Sequence, residues 1–70
     1  MNETRNERFK RLAIYRTNLV IDKLRILGNL ANKSNYDYSE EEINKIFNAV
    51  DTQLRITKAK FKRRSSAFKL

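Results

Sequence analysis

The residues in this sequence best suited to chemistry are cations. Lys58, Lys60, Lys62, Arg63 and Arg64 fall close together, Lys69 follows, and no Asp or Glu occurs after Asp51. A second set, Arg5, Arg8 and Arg11, recurs every third residue near the start. Clustered ammonium and guanidinium groups attract phosphate, and counterion release from a polyanion drives binding that ignores base sequence. The acid–base inventory is thin by comparison. The chain has no His and no Cys, which excludes Ser-His and Cys-His nucleophilic pairs, zinc ribbons and disulfide frameworks. Carboxylates remain, yet one Gly and no His leave little from which to shape a convergent pocket. The expectation is a nonenzymatic protein with no cofactor, no metal and no small-molecule substrate. Glu40, Glu41 and Glu42 are consecutive, whereas a calcium loop alternates its oxygen ligands around a central Gly. Their expected role is to complement the positive end of a helix dipole.

The whole chain shares this bias. Its 70 residues carry 16 Lys+Arg against 8 Asp+Glu, a net charge of +8, and 40% of them are hydrophobic. That apolar share falls below the roughly 45–50% usual in globular chains. A domain this small has a core worth only about 3–5 kcal/mol and needs a staple. Without Cys or His, the staple left is a partner chain. No apolar run approaches the about 20 residues of a membrane-spanning helix. Residues 1–8 also lack the apolar middle of a secretory signal, so a cytoplasmic location and no membrane contact are expected.

Two helices are expected to position the cations. Ser39 precedes Glu40, Glu41, Glu42 and Ile43, which is the spacing of a capping box between Ser39 and Glu42. Tyr38 and Ile43 occupy the two positions of a hydrophobic staple. Downstream, Ile43, Ile46, Phe47, Val50, Leu54 and Phe61 form one narrow stripe with Thr57 in phase, predicting a helix over about 40–61. Thr4 and Glu7 form a weaker box before the first helix, predicted over about 5–31. Gly28 is either in line or, in the rival reading, a left-handed cap. Between the helices, Asn32 to Asp37 is turn chemistry.

The first helix has more apolar surface than the second can cover. Leu12, Leu19 and Ile26 make one row, and Ile14 and Ile21 lie on a separate flank. These five residues are the expected partner interface, because contiguous exposed apolar surface marks an interaction site. The fold expected is all-α: an antiparallel hairpin over 1–61, dimerised into a four-helix bundle, with a basic tail over 62–70. Antiparallel packing would bring Arg5, Arg8 and Arg11 to the same pole as Lys58, Lys62, Arg63 and Arg64. Arg16 and Lys23 interrupt the first helix's apolar arc and are read as snorkelling, or as pairing with Asp51 or a partner's carboxylate.

The functional expectation is a small nucleic-acid-binding accessory or regulatory protein. It would act through Arg5, Arg8, Arg11, Lys58, Lys60, Lys62, Arg63, Arg64 and Lys69, with DNA or RNA as partner and a second copy as homodimer. The alternative is a protein–protein interaction module that docks on a larger protein through the first helix. Phe61, Phe68 and Leu70 serve either reading, since aromatics among cations stack on bases or dock in a groove. The seven or so residues between the helices are too many for a helix-turn-helix, and residues 2–8 do not alternate as a ribbon-helix-helix strand requires.

Overall fold

The computed structural model describes residues 2–62. The described chain is all-helical: α1 spans Arg5–Gly28, a 3₁₀ turn spans Asn29–Ala31, and α2 spans Glu40–Lys62. It divides between Asp37 and Tyr38 into two units, the first holding α1 and the turn, the second holding α2. The basic stretch from Arg63 onward, Lys69 included, lies outside the described residues.

Both helices start where their side chains satisfy the free N–H groups of the first turn. At α1, extended Thr4 accepts from the Glu7 N–H through Oγ1 at 3.0 Å, and its own N–H donates to Glu7 Oε1 at 2.9 Å. At α2, Ser39 Oγ accepts from the Glu42 N–H at 3.1 Å, and the Ser39 N–H donates to Glu42 Oε1 at 2.9 Å. Both expected capping boxes are formed. Tyr38 and Ile43 are both partly covered while Ser39 to Glu42 between them are exposed, as the staple requires. The three acids of α2 occupy its first turn and Lys60 and Lys62 its last, so each end is matched to the helix dipole.

The end of α1 differs from expectation. The α geometry stops at Gly28 and the phase continues to Ala31 only as a 3₁₀ turn. The Asn29 N–H is shared among the carbonyls of Arg25, Ile26 and Leu27, which tightens the last turn. Gly28 is right-handed, with φ −63° and ψ −22°, so it is not a left-handed cap. The chain turns at Asn32 instead. Its Oδ1 accepts from the Ser34 N–H at 2.9 Å and its carbonyl from the Asn35 and Tyr36 N–H groups at 3.1 and 3.0 Å. α2 runs one residue past its expected end, to Lys62.

No described side chain is buried. In the first unit Leu12, Ala13 and Leu27 are partly covered, and in the second Tyr38, Ile43 and Val50 are. Thr57 keeps its place in the α2 stripe because its hydroxyl donates back to the Gln53 carbonyl at 2.8 Å, leaving its methyl for apolar contact. No helix among the described residues is long and apolar enough to cross a membrane.

Candidate nucleic-acid interface

The second half of α2 builds the more coherent cationic surface. After Asp51 the helix carries Arg55, Lys58, Lys60 and Lys62 and no acid. At about 100° per residue, Arg55, Lys58 and Lys62 lie within an arc of about 60°, spread over about 10 Å of axis. Lys60 points to a different side. All four are exposed, and Arg55, Lys58 and Lys60 have no ion-pair partner among the described residues of their unit. Arg55 and Lys58 also line a shallow surface depression with Asn48, Asp51, Thr52 and Leu54. Phe61, one turn from Lys58, is 73% exposed. This face has charge, an aromatic edge and no competing carboxylate beyond Asp51.

Arg55 belongs to this face although it lies outside the tight Lys and Arg cluster of the sequence. The signal was in the phase: it sits three residues before Lys58 and seven before Lys62, the spacing that puts helical neighbours on one side.

The cations of α1 are less uniform. Steps of three residues rotate by about 60° each, so Arg5, Arg8 and Arg11 fan across about 120° of the helix instead of sharing a face. Arg5 and Arg8 are exposed and unpaired among the described residues of their unit. Arg11 is committed elsewhere. Its Nε donates to Glu3 Oε2 at 2.7 Å and its Nη2 to Glu3 Oε1 at 2.9 Å, a bidentate ion pair. That hydrogen bond holds the Glu3 carboxyl below its ordinary pKa and raises that of Arg11. Helical periodicity could not reveal this partner, because Glu3 precedes the helix. Further along, Arg25 Nη1 pairs with Asp22 Oδ1 at 2.7 Å, whereas Arg16 and Lys23 have no ion-pair partner among the described residues of their unit. Of the expected site, Arg63, Arg64 and Lys69 fall outside the described residues.

The expected apolar interface is largely open. Ile14 is 64% exposed, Ile21 47% and Ile26 57%, with Leu19 exposed and Leu12 partly covered. Among the described residues no group of three or more acids could hold a metal ion.

No protein-family model matches the chain, and no curated protein or solved structure is significantly similar to it.

Proposed function

We propose that this chain is a small nonenzymatic nucleic-acid-binding accessory protein. Its binding surface is the cationic second half of α2, continued by Arg63, Arg64 and Lys69 and joined by Arg5 and Arg8 of α1. One observation carries the reading: Arg55, Lys58 and Lys62 share one exposed face with no acid beyond Asp51. Ordinary solubilising charge is mixed in sign around a helix, whereas this face carries three cations and a single acid, Asp51, at its N-terminal edge. An antiparallel hairpin, paired with a second copy as a four-helix bundle, would bring the α1 cations to the same pole and double it.

Binding of this kind falls steeply with salt, with a slope of log K against log salt of about −0.9 for each phosphate neutralised. Lys62→Ala, Arg63→Ala and Arg64→Ala together should weaken binding to every base sequence and flatten the slope by up to about 3. Failure of the wild-type chain to bind single-stranded or duplex DNA or RNA at low salt overturns the reading.

The open flank of α1 supports a second reading, a protein–protein interaction module docking on a larger protein through Leu12, Ile14, Leu19, Ile21 and Ile26. Isoleucines this exposed leave apolar area in water that a partner surface would cover. If nucleic acid does not bind and the purified chain stays unassembled, this flank becomes the seat of function.

A further inference from the structure

Arg11 offers the edge of its guanidinium, Nε and Nη2, to both oxygens of Glu3 at 2.7 and 2.9 Å. The two unesterified oxygens of a phosphodiester fit that same fork, which is why Arg recognises carboxylate and phosphate alike. Resting on the nucleic-acid reading above, we infer that Glu3 is a resident stand-in for a phosphate group. It fills the Arg11 fork in the free protein, is displaced when a nucleic-acid backbone docks, and thereby sets how tightly the start of α1 binds.

Three features support this role for Glu3 over the acids of α1, Glu7 and Asp22. Glu7 accepts the Thr4 N–H of the capping box through Oε1 and makes no ion pair among the described residues. Asp22 is engaged with Arg25 far from the cationic start of the helix. Among the described residues Glu3 is the one acid that pairs with any of Arg5, Arg8 and Arg11, and Arg11 is its only side-chain partner. The pair is also easily opened. Its side chains are 60% (Arg11) and 35% (Glu3) exposed, and an ion pair so open to water contributes little net stability. A phosphate arriving with the rest of its strand gains Arg5 and Arg8 as well, which a lone carboxylate cannot offer. Exchange therefore runs toward the polyanion, at an affinity lower than an unoccupied fork would give.

The test titrates the full chain with short mixed-sequence DNA, single-stranded and duplex, by fluorescence anisotropy over a range of salt. Glu3→Gln should tighten binding by roughly threefold or more at each salt concentration with little change in the salt slope, because Arg11 meets the same phosphate in both proteins and only the cost of displacing Glu3 is removed. Asp22→Asn removes the same charge at the other end of α1 and should leave the affinity nearly unchanged. In an Arg11→Ala background, Glu3→Gln should have no effect. In the wild-type chain, NMR should show the Arg11 Nε–H resonance shifting on DNA addition, and the Glu3 carboxyl titration returning upward to its ordinary range. The inference is overturned if Glu3→Gln changes nothing, if it acts equally without Arg11, if Asp22→Asn matches it, or if the Arg11 and Glu3 signals ignore bound DNA. Those outcomes leave nucleic-acid binding standing, whereas no binding by the wild-type chain removes both.

Discussion

Glu3 and Arg11 are eight positions apart, yet the Arg11 guanidinium holds both Glu3 carboxylate oxygens, at 2.7 and 2.9 Å. The contact ties Glu3, ahead of α1, to the helix two turns in, because an Arg side chain on a helix leans back toward the N-terminus. Its pH dependence follows from the direction of the shift. The folded-state pKa of Glu3 lies below its ordinary value, first through the hydrogen bond from Arg11 and also through the charge of Arg11. The contribution is therefore complete above the unfolded glutamate pKa and is lost as pH falls through the lowered folded value. Carboxyl-detected NMR should place the Glu3 midpoint below the ordinary glutamate value. Arg11→Ala should return it to the ordinary range. An unchanged midpoint in that variant would show that Arg11 is not the cause.

The two capping boxes make a stability prediction. Ser39→Ala removes the oxygen that accepts from the Glu42 N–H at 3.1 Å and should cost about 1 kcal/mol. Thermal unfolding must be compared at one protein concentration, because any assembly makes the midpoint concentration-dependent. Binding to DNA should be unaffected at saturating protein, since Ser39 lies at the opposite end of α2 from Lys58 and Lys62. An unmoved unfolding midpoint would mean that α2 does not depend on this cap.

What sequence reasoning could and could not reach follows from the range of each interaction. The caps at Thr4 and Ser39 were legible because box partners lie three residues apart and need no tertiary structure. The Asn32 turn was legible for the same reason. The end of α1 was not, because the choice between a left-handed cap and a 3₁₀ turn at Gly28 is a balance of small backbone energies that leaves no mark in residue type. The Glu3–Arg11 clamp crosses from the chain ahead of α1 into the helix, so no single periodicity spans it. Arg55 was legible in principle, since helical phase alone places it with Lys58 and Lys62, but attention to the dense Lys and Arg run passes over it.

Gly28 gives a prediction whose sign is informative. It is right-handed, and a Cβ built on it meets nothing within 4 Å. Gly28→Ala should therefore stabilise by about 0.5–1 kcal/mol, through the lower conformational entropy of the unfolded chain. A rise in the thermal midpoint by circular dichroism is the expected result. A fall would mean that another helix approaches Gly28 closely in the assembled protein, where the added methyl would clash.

The last prediction separates assembly from binding. No described side chain is buried, and most helical stability in proteins comes from packing an amphipathic face against another surface. The chain should therefore run in size-exclusion light scattering at about twice its mass of 8.4 kDa at micromolar concentration. Ile14→Asn with Ile21→Asn places two amides on the flank that is 64% and 47% exposed and should lower that mass or the helix content. The same pair of changes leaves every cation in place, so residual DNA binding should keep a steep salt dependence even as affinity falls with the loss of the second copy. Lys62→Ala, Arg63→Ala and Arg64→Ala should do the reverse, holding the mass and flattening the salt dependence. A wild-type monomer with cooperative unfolding would defeat the argument from apolar exposure, because one chain would then be closing its own core.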